Sequence, residues 1–244
     1  MTFKSKIAVA VLALTAGSAA MAQLAYNIGV VSEYRYRGLS QTNGDPALQG
    51  GADYAFKNGF YVGAWASNVS WIKDSGAKDS SFELDLYGGY KGTIGPVAYD
   101  VGYLRYEYPG NKLGDVSGFK NANTDEAYVA GSYGPFTLKY SYAFSNLFGT
   151  PDSKGTTYTD LSATFDLGKG FAFVPHIGYQ DFKSNNGTNN DKYDYTDYAL
   201  TLTKDFGAGY VGSLSYITVD QKTAGTWARN LSKDQVILGV KYTF

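Results

Sequence analysis

Proton chemistry has a single histidine to work with in this chain, His176, within Phe173-Val174-Pro175-His176-Ile177-Gly178-Tyr179. One histidine with a serine and an acid would suffice for a membrane-embedded lipid hydrolase. The strained Gly-x-Ser-x-Gly turn that presents such a serine is missing, so the residues favour a histidine making ordinary hydrogen bonds. Asp191, Asp194 and Asp197 recur at every third position and could offer oxygen ligands to a hard cation. A calcium loop needs another spacing, a glycine at its bend and a late glutamate; this stretch reads as a solvated acidic loop. With no cysteine, disulfides, thiolate catalysis and cysteine-held metals are excluded. The glycines form no phosphate cradle. The sequence therefore implies no catalytic residue, no metal and no cofactor, and the protein is not expected to be an enzyme.

The larger chemical resource is a set of charges: Glu33, Arg35, Arg37, Asp53, Glu83, Asp85, Lys91, Asp100, Lys139 and Lys241. Charges ringing a water-filled path select solutes; the same charges paired with one another would only brace a narrow barrel. Across 244 residues, 21 basic side chains meet 22 acidic ones. No basic excess exists to neutralise a phosphate backbone, so nucleic acid is not an expected partner. The composition leans on 23 Tyr, 14 Phe and 30 Gly, which suits strands broken by turns.

What positions the charges is alternation. Tyr26, Ile28 and Val30 oppose Asn27, Gly29 and Glu33; Phe82, Leu84 and Leu86 oppose Glu83 and Asp85; Phe136, Leu138 and Tyr140 oppose Thr137 and Lys139. Successive side chains of a strand point to opposite faces, so each segment has an apolar face and a polar one. About twelve such segments are expected, near 25–38, 46–56, 60–71, 81–91, 97–108, 124–133, 136–146, 156–166, 171–182, 194–204, 210–220 and 233–244. Tight connections such as Lys57-Asn58-Gly59 and Gly134-Pro135 alternate with long polar ones at 39–45, 72–80, 109–123, 147–155, 183–193 and 221–232. Turns at one end and loops at the other are the layout of an outer-membrane barrel. In lipid no backbone group finds water, so such a sheet must close on itself. Pro175 has no N–H to give its neighbour and requires an unpaired position or a bulge.

Residues 1–22 differ from the rest. Lys4 and Lys6 precede an apolar run from Ile7 to Ala16, and Ala20-Met21-Ala22 is a small-x-small cleavage site, so this stretch reads as a signal peptide ahead of a barrel at 23–244. At the other end Gly239-Val240-Lys241-Tyr242-Thr243-Phe244 finishes on alternating aromatics. Gly239, Tyr242 and Phe244 look like the signal by which the barrel-assembly machinery takes up a C-terminal strand. Aromatics near segment ends (Tyr26, Tyr34, Tyr36, Phe82, Tyr90, Phe136, Phe144, Phe165, Phe171) are expected to form girdles against lipid. Arg105, on the face of Val101 and Tyr103 near the loop end, is expected to meet headgroups or lipopolysaccharide phosphates.

Particular runs carry a resemblance. VVSEYRYRGLSQTNGDPALQGGADYAFKNGFYVGAWASNV (Val30 to Val69), ELDLYGGYKG (Glu83 to Gly92), YDVGYLRYEYPG (Tyr99 to Gly110) and HIGY (His176 to Tyr179) resemble the TorF-type porin family, the Gcw-type conserved outer-membrane proteins. The similarity runs over the mature chain and is most specific in its first third. It implies an outer-membrane β-barrel of a Gram-negative cell with a porin-like role, and it brings no catalytic or ligand residues with it.

The expected function is passive diffusion of small hydrophilic solutes, with both termini in the periplasm. An outer-membrane lipid hydrolase using His176 and a closed structural or adhesive barrel are the alternatives. Strand direction places Glu33, Arg35 and Arg37 at the depth of Glu83 and Asp85, so these are expected to pair across the lumen. Asp53, Lys91, Asp100, Lys139 and Lys241 should form a second mixed band nearer the periplasm.

Overall fold

The computed structural model describes residues 23–220 and 231–244. The signal-peptide expectation for 1–22 lies outside the described residues. Alternation produces strands wherever it is sustained: β1 (Gln23–Val31), β4 (Ala47–Ala55), β5 (Phe60–Asn68), β6 (Phe82–Ile94), β7 (Val97–Glu107), β8 (Thr124–Tyr133) and β9 (Phe136–Ala143). There follow β10 (Thr157–Ala163), β11 (Phe165–Gly168), β12 (Phe171–Asp181), β13 (Tyr195–Gly207), β14 (Tyr210–Val219) and β15 (Gln235–Thr243). Two short strands, β2 (Arg35–Tyr36) and β3 (Leu39–Ser40), pair only with each other.

All neighbours in the large sheet are antiparallel, in the order β10-β9-β8-β7-β6-β5-β4-β1-β15-β14-β13-β12-β11, and β10 also pairs with β12. The sheet is closed. β10 and β11 are two parts of one strand interrupted at Thr164, so the wall is a barrel of twelve strands. The interruption has a cause. Ser162 pairs with His176 and Phe165 with Phe173, which puts the gap opposite Pro175, the one residue of β12 without an N–H to donate.

The seam between the chain ends is held at its last residues. Tyr26 and Phe244 exchange backbone hydrogen bonds at 2.9 and 3.0 Å, and the Phe244 ring stacks on Tyr26 and Tyr242 with centroids 5.7 and 5.3 Å away. The outward face carries Leu24, Ile28, Val30, Leu48, Leu138, Leu200, Leu238 and Val240, all strongly exposed. An apolar band right round a closed barrel is the surface that lipid covers.

The first strand is shorter than its alternation implies. It leaves the wall at Ser32, whose N–H and Oγ bond the Leu238 carbonyl and N–H at 2.8 and 3.0 Å, and the chain turns into the lumen. Tyr34 and Tyr36, expected on the lipid face with Tyr26, are therefore inside. Tyr34 is buried against Trp65, and Tyr36 packs edge-on to Tyr106 and Phe148. The short helix α1 (Trp71–Asp74), Tyr108, Leu113, Leu147 and Phe148 complete an apolar cluster that fills the loop end.

Candidate channel interior

The inward hairpin turns at Arg37 and Gly38, both at positive φ (47° and 76°). This is the two-residue geometry that matches the twist of a tight hairpin. Only glycine fits at 38, where a Cβ would lie 2.5 Å from the Asp197 and Val219 side chains. Arg37 is the cost of that turn, a non-glycine residue in a left-handed conformation, and its side chain holds the tip in place. One guanidinium nitrogen meets Glu126 at 2.7 Å, the other donates to Gln180 Oε1 at 3.0 Å, and the group lies over the Tyr158 ring at 4.3 Å. Burial opposes the charge on Arg37 most strongly, but the Glu126 carboxylate together with Tyr36 and Tyr106 offsets it and holds the pKa above the ordinary value. From β1, β8 is the fifth strand round one way and β12 the fourth round the other. The hairpin thus spans the bore and grips the far wall.

All ten charged residues singled out by sequence face inward, but they divide into different pairs from those expected. Arg35 turns to its own neighbour Glu33 at 3.2 Å and to the Gly38 carbonyl at 2.9 Å. Arg37 takes Glu126. Neither meets Glu83 or Asp85, because the chain has left the wall and carries the arginines across the lumen, not up it. Glu83 accepts from the Tyr34 hydroxyl at 3.3 Å, and Glu83 Oε2 and Asp85 Oδ1 are buried without a hydrogen-bond partner among the described residues. In the second band Asp100 accepts from Tyr61 at 2.7 Å and lies 3.9 Å from Lys91, Asp53 accepts from Tyr87 at 2.6 Å, and Lys139 sits 4.0 Å above the Tyr128 ring. Lys241 is within electrostatic reach of Asp53.

His176 is clamped between two carboxylates, its Nδ1 2.8 Å from Asp160 and its Nε2 2.7 Å from Asp197, so the ring donates on both sides. Asp197 also accepts from Tyr158 at 2.9 Å. Gly178 makes the room: a Cβ there would overlap the Tyr158 hydroxyl. Among the described residues the ring's partners are Asp160, Asp197 and Tyr158, and none is a serine. The Asp191, Asp194, Asp197 series splits up. Asp191 accepts from Ser184, Asp194 from the Phe182 N–H at 2.7 Å, and Asp197 is inside the barrel and not in a solvated loop. Arg105 is outward, where Glu107 and Asp125 take its guanidinium at 2.8 and 2.7 Å.

Sequence reading missed Glu126, Asp160 and the tyrosines that pair with carboxylates, and it placed Asp197 in a loop. Parity alone would have found them: Glu126 alternates with Tyr128 and Ala130, and Asp160 with Tyr158 and Ser162, all on the inward face.

The interior has two unlike walls. From β6 round to β12 the inward residues are closely packed and interlocked. From β13 through β14, β15 and β1 to β4, small polar residues (Thr201, Ser213, Ser215, Asn27 and Gln49) stay half-buried.

Several solved structures that share this fold are described as porins or channels. The KdgM porin is 10% identical with a TM-score of 0.55, over 91% of this chain and 98% of that one. The NanC porin is 14% identical with a TM-score of 0.55, over 90% and 99%. An outer-membrane channel of the COG4313 group from Pseudomonas putida F1 is 11% identical with a TM-score of 0.51, over 93% and 96%. No curated protein matches the chain. At such identities the likeness establishes the outer-membrane channel fold and no more. The sequence itself, over residues 15–244, matches the Gcw_chp model, described as a bacterial protein of unknown function, and the chain belongs to that family.

Proposed function

We propose that the protein is an outer-membrane channel for passive diffusion of small hydrophilic solutes, whose path follows the wall from β13 to β4. The observation that carries this reading is the asymmetry of the interior. Most charges on the packed wall are buried among tyrosines and one another, whereas from β13 to β4 Thr201, Ser213, Ser215, Asn27 and Gln49 leave a small polar lining beside the opposed charges of Asp53 and Lys241. Hairpin β2–β3 limits the bore, and the near balance of acids and bases leaves weak ion selectivity. On this reading the ten charges shape the lumen, His176 is a structural brace, and no reaction is catalysed. Residues 1–22 direct export, the tight turns and both termini face the periplasm, and the loops face outward among lipopolysaccharide. The barrel-assembly machinery takes hold of the strand ending in Tyr242 and Phe244.

Single-channel recording on refolded protein tests the proposal. Small steps of weak selectivity, reduced further by Ser213→Tyr and Ser215→Tyr, are the expected result. Silence from wild type and from a variant with the hairpin tip released would end the channel reading and leave a closed barrel whose loops do the work.

A further inference from the structure

The grip of the hairpin tip is itself a binding site. Three groups on the far wall converge on one guanidinium: a buried carboxylate (Glu126), a buried amide oxygen (Gln180) and the face of a buried tyrosine (Tyr158). A carboxylate in line with one nitrogen, an acceptor for another and an aromatic face beneath the plane are what an arginine-type group requires and a simple ammonium does not. None of the three depends on the hairpin for its place, since each stands on a wall strand held by two neighbours. The occupant belongs to an element with a short backbone ladder, as β2 and β3 share two residue pairs, and its anchorage is by side chains: Tyr34 and Tyr36 in the apolar cluster and Arg35 on the Gly38 and Leu231 carbonyls. Among the described residues, no backbone hydrogen bond joins Arg37 or Gly38 to the wall. Tyr36 adds one hydroxyl contact with Tyr106.

We propose that Glu126, Gln180 and Tyr158 form a guanidinium-binding site, that Arg37 is its resident tethered ligand, and that small guanidinium-bearing solutes compete with Arg37 for it and so release the hairpin. The release step rests on the channel reading; the binding step does not. A tethered occupant competes at a millimolar effective concentration, so a free ligand fills the site readily only once Arg37 is gone.

The probe is methylguanidinium chloride, against matched sodium chloride and methylammonium chloride. Binding is read by tryptophan fluorescence, because Trp71 packs on Phe148, which packs on Tyr36. Arg37→Ala should give a saturable change with methylguanidinium alone, and wild type should need at least about tenfold more. Arg37→Ala/Glu126→Gln should lose the response, and it also removes the buried charge that Arg37→Ala leaves unpaired. Arg37→Lys, which keeps the charge but not the fork, should be displaced at intermediate concentration. Slower migration after boiling checks that each variant is folded. Equal responses from Arg37→Ala and the double variant, or from methylguanidinium and methylammonium, would overturn the site. Conductance is measured in parallel. Methylguanidinium that binds Arg37→Ala but never alters current through a conducting wild-type channel would overturn the release step. A wild type and an Arg37→Ala variant both silent would sink the channel reading while the fluorescence titration still decides the site.

Discussion

Replacing His176 by Ala separates a structural brace from a catalytic base. The ring joins Asp160 to Asp197 at 2.8 and 2.7 Å, and the side chains of His176, Asp160 and Asp197 are 14%, 15% and 2% exposed. Deleting the shared donor leaves two carboxylates facing one cavity, of which Asp197 keeps only the Tyr158 hydroxyl. Breaking a fully buried pair from one side costs about 3–5 kcal/mol. The partial exposure of Asp160 lets water take over some of its loss, so about 2–3 kcal/mol is expected here. With a urea slope of roughly 1–3 kcal/mol per molar, the midpoint for unfolding from lipid should fall by about 1 M. The diagnostic is a second variant. His176→Ala/Asp160→Ala removes one of the stranded charges and should recover part of the loss, as a buried pair deleted whole costs less than one broken. Neither variant should change lipid hydrolysis by purified protein, which is expected at background throughout. A midpoint within about 0.2 M of wild type in His176→Ala, or a double variant weaker than the single by the full additive amount, would refute the brace. Hydrolysis lost in His176→Ala would instead revive the enzyme reading.

Other parts of the structure make further predictions. Deleting Phe244, or changing it to Asp, removes the ring stacked on Tyr26 and Tyr242 at the seam; folded protein in outer-membrane fractions should drop sharply, and normal amounts would contradict the assembly role. Gly178→Val puts a side chain where the Tyr158 ring lies, and should cost about 1–3 kcal/mol by overpacking, measured by the same urea titration, with Gly131→Val as the control at a strand position where a Cβ meets nothing nearer than 4.0 Å. Changing Arg35 and Arg37 together to Ser leaves Glu33 and Glu126 uncompensated, so bilayer conductance should rise and the reversal potential in a salt gradient should move toward cations; an anion-selective shift would contradict the pairing.

The barrel was legible because lipid and closure both write into sequence with period two. Twelve alternating segments, the turn–loop rhythm and the Phe244 terminus needed no tertiary information, and even the break opposite Pro175 follows from one missing N–H. The hairpin was not legible by the same rule. Tyr34 and Tyr36 resume the parity of Tyr26, Ile28 and Val30 after a single polar residue, Ser32, and alternation cannot tell a strand that stays in the wall from one that turns inward. The signal lay in Arg37-Gly38 and the cluster of turn formers at Asn43-Gly44-Asp45-Pro46, which shorten the wall strand from the far side. Their meaning depends on Gly38 fitting between Asp197 and Val219, residues about 160 and 180 positions away by the numbering.

The same limit explains why the charges were placed on the right face and given the wrong partners. Parity fixes a side chain as inward; it says nothing of whether another segment lies over it. Glu83, Asp85, Asp100 and Glu126 all face the lumen, yet all are buried, with hydroxyls of Tyr34, Tyr61 and Tyr106 meeting Glu83, Asp100 and Glu126. Tyr34 and Tyr61 supply hydroxyl donors to Glu83 and Asp100 in place of arginine, and Arg37 crosses the bore to Glu126, which takes both the guanidinium and the Tyr106 hydroxyl. The abundance of tyrosine on both faces then has two physical causes, interfacial aromatics outside and hydroxyl donors to buried acids inside. A charge count along the strands therefore overstates the charge a passing solute meets, and the wall of Thr201, Ser213, Ser215, Asn27 and Gln49, whose inward charges Asp53 and Lys241 oppose each other, is where substitutions should tell most on what passes.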